Sequence, residues 1–353
     1  MTYLRNCWYM AAWSGEVADA PFARRILDEP VLLYRRRDGV AVALTDRCPH
    51  RFAPLHMGKL LDGDRIQCPY HGLEFDSAGR CVFNPQGSGA TPAAAALRSY
   101  PLHEKYGGLW IWMGEPERAD PALIPDYGFL DDARYARDQG YMMTRANYEL
   151  MADNILDLGH VDFLHQGSLG CEATAKAKPR TRQEGTRIFC DRWMPNDRQG
   201  PLPSITFERD GPVDAWIDVV WDPPSLMILN FGMTDVGGSR ESARETRNIH
   251  FMTPETRFST HYFWATCRNF RLHEPGLGDA IRAGVEAAFS IEDKPMIEAQ
   301  QAMMGEADFW SLKPVLLQGD AAAVMARRTL AKLIEEEKQA AGQAMAASSV
   351  EVR

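Results

Sequence analysis

Four residues in two short segments carry the most chemistry in this chain of 353 residues: Cys48 and His50 in Cys48-Pro49-His50, and Cys68 and His71 in Cys68-Pro69-Tyr70-His71, with seventeen residues between His50 and Cys68. Two thiolates and two imidazoles suit a [2Fe–2S] cluster of the Rieske type, in which the cysteines hold one iron and the histidines the other. Zinc accepts the same four atoms in a tetrahedron. Its ligands usually come as a cysteine pair followed by a histidine pair, however, and the order here is Cys, His, Cys, His. The spacing therefore favours the cluster. Gly58 and Gly72 allow tight turns beside each segment, Pro49 and Pro69 stiffen them, and backbone N–H groups near the sulfurs would tune the potential. A chain so equipped handles single electrons.

A second concentration lies at Asp153-Asn154-Ile155-Leu156-Asp157-Leu158-Gly159-His160, followed by Val161-Asp162-Phe163-Leu164-His165. Two histidines with carboxylates nearby are the material of a 2-His-1-carboxylate triad, which binds Fe(II) on one face and leaves positions open for O2. The pattern predicts a helix over 149–164. On an ideal helix His160 and His165 would stand about 140° apart, so one ion can meet both only if the helix distorts or ends near Gly159. An H-x4-H pair alone reads as two incidental polar residues. Beside a centre that delivers single electrons it gains weight, because those electrons need an acceptor.

The segments RNCWYMAAW, CPHRFAPL and CPYHGLEFD resemble the N-terminal half of a Rieske non-haem iron oxygenase, and D-x2-H-x4-H resembles that family's motif for the catalytic iron. The likeness covers nearly the whole chain and is strongest to the aromatic O-demethylase group of vanillate demethylase, dicamba demethylase and toluenesulfonate methyl-monooxygenase. It implies a cluster on Cys48, His50, Cys68 and His71, and an iron on His160, His165 and Asp293, the last from the stretch IEDKP at 291–295. Glu292, about 100° round the same helix, would face elsewhere. Asp157 is implied as an electron bridge. It would hydrogen-bond the free nitrogen of His160 and, in the family's homotrimer, meet the cluster histidine His71 of the next subunit, with Asn154 supporting the network. Asn230 and His250 are implied as contacts to a substrate carboxylate, and Gly284 stands where relatives carry an aromatic side chain.

The activity implied is that of a terminal oxygenase component: O-demethylation of a small methoxylated aromatic acid to a phenol and formaldehyde, using O2 and electrons from NAD(P)H. Hydroxylation of a methyl group or ring of a related acid is the alternative. A Rieske electron-transfer protein is the alternative of another class, and would need only the first 115 residues or so and two irons instead of three. No Gly-rich dinucleotide fingerprint precedes a helix, so a separate reductase, with or without a ferredoxin, must supply the electrons.

These sites need elements to position them. Short β-rich runs from Arg25 to Trp112, separated by Gly, Asp and Pro, predict an antiparallel β domain over 1–115. The catalytic domain is expected over 116–340, with strands at RIFCDRW, DAWIDVVW, SLMILNFGM, NIHFMTP and FSTHYFWATCRNF and helices over 277–304 and 321–338. The class is α+β, and the resemblance implies a helix-grip-like arrangement of antiparallel sheet flanked by helices. Mobile loops are expected over 166–185 and 236–247, and a disordered tail over 341–353. A net charge of −9 disfavours nucleic acid and anionic membranes as partners. No run approaches ~20 apolar residues and no leader pattern opens the chain, so a cytoplasmic protein is expected. Beyond the two cluster cysteines, Cys7, Cys81, Cys171, Cys190 and Cys267 are irregularly spaced and read as reduced thiols. Arg35, Arg36, Arg37 and Arg51 are candidates for docking an acidic electron carrier, although the first three also read as a solvated strand edge.

Overall fold

The computed structural model describes residues 2–351, with side chains followed to 343. The chain divides into two compact units, one of Arg5–Pro125 with Thr253–Arg257 and one of Met1–Leu4, Asp126–Met252 and Phe258–Arg353.

The first unit is antiparallel β structure. Its strands are β1 (Trp8–Trp13), β2 (Phe22–Ile26), β3 (Glu29–Arg35), β4 (Ala41–Thr45), β5 (Lys59–Leu61), β6 (Arg65–Gln67), β7 (Glu74–Phe75), β8 (Cys81–Phe83), β9 (Leu102–Lys105) and β10 (Gly108–Trp112). They form three sheets in the orders β1-β10-β9, β2-β3-β4 and β5-β6-β7-β8. β1 and β10 are buried along their whole lengths, which explains their unbroken apolar runs WYMAAW and GLWIW in place of alternation. Leu32, Tyr34, Leu44, Leu55, Ile66 and Phe75 form a core that also takes in Cys48 and Cys68, so the cysteines are rooted in packed structure.

The unit extends past the expected boundary at 115. Trp8 Nε1 donates to the Asp120 carbonyl at 2.8 Å and Trp112 Nε1 to the Glu115 carbonyl at 2.9 Å, which ties the connecting stretch to the β domain. Arg35 pairs with Glu104 and Arg36 with Asp38, in keeping with a structured strand edge.

The second unit is built on a seven-stranded sheet of β11 (Ala136–Thr144), β12 (Arg180–Glu184), β13 (Arg187–Asp197), β14 (Val213–Asp222), β15 (Leu226–Thr234), β16 (Arg244–Thr256) and β17 (Ser259–Arg268), in the order β11-β17-β16-β15-β14-β13-β12. Its helices are α1 (Tyr148–Leu156), α2 (Val161–Leu164), α3 (Glu172–Lys176), α4 (Pro201–Phe207), α5 (Leu277–Ala287), α6 (Lys294–Met304) and α7 (Ala321–Glu351). The α+β class is as expected, and β13 to β17 fall on the five runs expected as strands.

Three expectations need correction. The stretch 166–185 contains α3 and β12, because β12 pairs along its length with β13. Most of 236–247 is likewise ordered, as a short 3-10 turn at Arg240–Ser242 and the start of β16. The segment expected as a tail continues α7 to Glu351, its Ala and Gln content being helix-favouring; Val352 and Arg353 lie outside the described residues. α7 is anchored through Arg327, whose guanidinium donates to Asp153 at 2.7 to 3.1 Å and to Glu149 at 3.1 Å on α1.

Candidate functional site

The two cluster loops are built alike. Each cysteine N–H donates to the carbonyl five residues on, Cys48 to Ala53 at 2.9 Å and Cys68 to Leu73 at 2.8 Å. The N–H four residues on donates back to the cysteine carbonyl, from Phe52 at 2.9 Å and Gly72 at 3.1 Å. Both residues that make the return bond have positive φ, 60° at Phe52 and 75° at Gly72. Glycine meets that need without strain at 72, whereas Phe52 holds it against its own preference. The geometry buries Cys48 and Cys68 and leaves His50 and His71 toward solvent, their ring centroids 4.5 Å apart. Burial pushes the Cys48 thiol up to about 11. A bound cation would take the place of those thiol protons, so the loops have the donor set and the burial that suit an iron–sulfur cluster. Phe52, Met57 and Tyr70 on the same loops are exposed.

The iron-type site depends on two departures from regular helix. α1 ends because Asp157 leaves the helical region at φ −108°, ψ 96°, and its carboxylate caps the Gly159 N–H at 3.0 Å, starting a 3-10 turn over Leu158–His160. The break expected near Gly159 thus falls at Asp157. It brings the His160 and His165 rings to a centroid distance of 5.3 Å. The expected long helix over 277–304 likewise contains a π-helical segment, Ala288–Asp293, between α5 and α6. Such wider turns recur where a side chain must be re-aimed. Here it presents Asp293, whose Oδ1 lies 3.2 Å from His165 Nε2 and 3.5 Å from His160 Nε2. Donor atoms of the three residues all lie within 4.8 Å of one another, a spacing that one metal ion could bridge. Burial pushes Asp293 up, yet its hydrogen bonds with both histidines outweigh that and hold the carboxyl at about 2.

The remaining nitrogens of the two histidines are engaged. His160 Nδ1 meets the backbone carbonyl of Asp157 at 2.7 Å; the sequence expectation had given this contact to the carboxylate, which instead caps the turn and lies 3.7 Å from the buried Arg192 guanidinium. His165 Nδ1 meets Glu292 Oε2 at 2.7 Å, and the Ser168 hydroxyl donates to the same oxygen at 2.7 Å. Glu292 and Asp293 therefore grip one imidazole from its two sides. Sequence reasoning missed this role for Glu292, since it ended at the ~100° that separates the pair. Asn154 Nδ2 donates to Asp293 Oδ1 at 3.0 Å and lies 3.3 Å from His160 Nε2. With both Nδ1 atoms held by oxygens, the Nε2 atoms and the Asp293 carboxylate form a donor set that fits a single iron with open positions.

Beside this cluster the sheet and helices enclose a cavity of about 180 Å³. Leu229 and Phe231 on β15 and Thr246, Asn248 and His250 on β16 supply one wall, and Ile281, Val285 and Phe289 the opposite one. Two sequence assignments fail here. Asn230 pairs in register with Arg247, on the face of the sheet opposite that of Leu229 and Asn248, and opens onto a separate surface hollow with Phe129 and Tyr135. Side chains alternate along a strand, so an error of one residue reverses the face. Gly284 lies against Leu202 and is not among the lining residues; the aromatic on that wall is Phe289, one turn beyond Val285 in the π segment. His250 does face the cavity.

Comparison with known proteins agrees with both halves. Residues 7–101 match the Rieske [2Fe-2S] domain, and residues 144–336 match the vanillate O-demethylase oxygenase C-terminal domain. The oxygenase component of chloroacetanilide N-alkylformylase from Rhizorhabdus wittichii is 41% identical, over 95% of this chain and 97% of that one. The oxygenase component of dicamba O-demethylase from Stenotrophomonas maltophilia is 39% identical, over 94% and 98%. A crystal structure of dicamba monooxygenase bound to 3,6-dichlorosalicylic acid superimposes with a TM-score of 0.90 at 39% identity, over 96% of this chain and 99% of that one. Relatedness along nearly the full length of each chain, and not over the cluster domain alone, rules out a free-standing electron carrier: the chain belongs to the Rieske non-haem iron oxygenases, oxidoreductases that work with a [2Fe–2S] cluster and a mononuclear iron.

Proposed function

We propose that this terminal oxygenase removes an O-methyl group from a one-ring aromatic substrate. The observation that carries the reading is the meeting of His160, His165 and Asp293 at the edge of an apolar cavity. Cys48, His50, Cys68 and His71 hold the cluster, and His160, His165 and Asp293 hold the iron. When bound, the two centres supply electrons and O2-dependent oxidation of a C–H bond, which at a methoxy carbon gives a hemiacetal that breaks down to a phenol and formaldehyde. Glu292 and Ser168 keep His165 in the tautomer that leaves Nε2 free, and Asn154 orients the Asp293 carboxylate by donating to Oδ1. Leu229, Phe231 and Phe289 exclude water and hold the ring, which places the methoxy carbon beside the ligands.

Electrons come from NAD(P)H through a separate reductase, with or without a ferredoxin, and cross to the iron between subunits of a homotrimer. Asp157 is the bridge, with His71 of the next subunit set against it. Two features support this. A hollow of about 300 Å³ opens beside Asp157 and is lined in part by Phe309, Val315 and Leu316, the last two exposed; Leu317 is exposed alongside them. The cluster loops carry their own exposed Phe52, Met57 and Tyr70, so each surface has apolar area for the other to cover. Among the described residues no helix is long and apolar enough to cross a membrane. We place the protein in the cytoplasm, a reading supported by seven cysteines that are all free of disulfides.

The test is formaldehyde release from methoxybenzenes by purified chain carrying both metal centres, with O2, NADH and a surrogate reductase. Release matched to NADH and O2 consumption is expected. Hydroxylated product without formaldehyde would move the assignment to methyl or ring hydroxylation.

A further inference from the structure

One strand presents the substrate cavity with an acceptor and a donor whose senses are fixed by the protein. Thr246, Asn248 and His250 on β16 are two residues apart, so their side chains share the face that lines the cavity. Asn248 Nδ2 donates to the Leu229 carbonyl at 3.0 Å and lies 3.3 Å from the Thr246 hydroxyl, to which it gives its second proton. A backbone carbonyl only accepts, so the amide cannot be turned round, and both of its protons are spent. No described residue donates to the Asn248 carbonyl oxygen, which is the acceptor left to a ligand.

Two residues further on, about 6.7 Å by the rise of a strand, His250 supplies the opposite sense. It is 2% exposed, and its Nε2 has no hydrogen-bond partner among the described residues. Its Nδ1 lies 2.5 Å from the Tyr262 hydroxyl. Burial raises the Tyr262 phenol well above its ordinary value and lowers His250 to about 3, so both groups are neutral. A proton on Nδ1 would leave the buried phenol O–H without an acceptor. The phenol therefore donates to Nδ1, and Nε2–H is a donor. The cavity of about 180 Å³ accepts one substituted ring between these two atoms, about 150 Å³ being enough for benzene.

Resting on the demethylation reading given above, we infer that Asn248 sets specificity: its carbonyl oxygen selects a methoxyarene whose ring carries a hydrogen-bond donor, a hydroxyl or amino group, opposite the acceptor oxygen that meets His250. A ring with a methyl group in that place fills the same space and leaves the Asn248 oxygen desolvated and unpaired. That is costly against a wall as apolar as Leu229, Phe231 and Phe289 make this one. The discrimination comes from one amide and does not depend on the charge at the ligand's other end.

Calorimetric titration of the metal-loaded protein at pH 7, without reductant, tests the inference apart from turnover. The ligands are the 4-hydroxy, 4-amino and 4-methyl derivatives of 3-methoxybenzoate. The hydroxy and amino compounds are each expected to bind at least about tenfold more tightly than the methyl compound. The amino compound isolates the donor, because a hydroxyl also accepts. Equal binding of the three, tighter binding of the methyl compound, a gain confined to the hydroxy compound, or no binding of the hydroxy compound would overturn the inference. Asn248→Leu should abolish the gain while iron content and cluster absorption persist, and a gain retained in that variant would overturn the role of the residue. The three-ligand comparison on the unaltered protein stands whether or not the variant folds. Formaldehyde measured on the same protein with O2, NADH and reductase separates the two claims. A donor preference without formaldehyde defeats the demethylase assignment and leaves the selectivity standing, whereas formaldehyde with no donor preference defeats the selectivity alone.

Discussion

The cluster loops and the iron-type site hold their ligands by different means. At the loops backbone does the work: matched N–H to carbonyl bonds close two tight turns, and the cysteine side chains drop into a packed core. At the second site the partners are mostly side chains, with Asn154, Glu292 and Ser168 reaching in from three separate segments to fix Asp293 and His165. A site made from turns should be sensitive to backbone conformation. One made from crossed side chains should be sensitive to single atoms of its supporting shell.

Four predictions bear on this contrast, from the largest effect to the smallest. Asp293→Ala should remove the mononuclear iron and cut turnover by more than about a thousandfold while the cluster's visible absorption survives, because the two sites share no ligands. Iron analysis should fall from three per chain to two, and bleaching of the cluster would refute the separation. Asp157→Asn keeps an oxygen to cap Gly159, so fold and both metals should persist while coupled turnover falls roughly a hundredfold. Undiminished turnover with surrogate reductase would sink the bridging role. Glu292→Gln should leave the cluster untouched and lower iron affinity by about 10- to 100-fold, read by chelator competition. An unaltered affinity would mean that His165 is oriented without it. Gly72→Ala should do the reverse, costing about 1–2 kcal/mol in the cluster domain because an alanine must then adopt φ 75° with its Cβ 3.1 Å from Pro85. Its readout is thermal bleaching of the cluster absorption, with iron affinity at the other site unchanged.

The same contrast explains which parts could be read in advance. Each cluster segment encodes its own turn, so cysteine, proline, histidine and glycine at short spacing were informative without knowledge of anything distant. The break after α1 was also legible, because two histidines five residues apart cannot share an ion on a regular helix. Asp293 was reached only through family resemblance, as its neighbour Glu292 already stands 127 positions beyond His165, and that distance carries no local signal. Glu292 was set aside on ideal-helix angles, which do not place it against an imidazole held by its neighbour as well. Asn230 failed by one step of strand parity, and Gly284 because its helix lines the cavity through Ile281, Val285 and Phe289, while Gly284 itself lies against Leu202.

The amino-acid sequence by itself determined the two-domain α+β plan, the electron-handling loops and the histidine pair, since periodicity, turn residues and ligand spacing are local properties of a chain. Only the tertiary structure decided that Glu292 secures His165, that the carbonyl of Asp157 and not its carboxylate meets His160, and that His250 faces the cavity while Asn230 faces away from it. These depend on which face of a strand turns inward and on where a helix widens, and both are settled by packing between segments far apart in the chain.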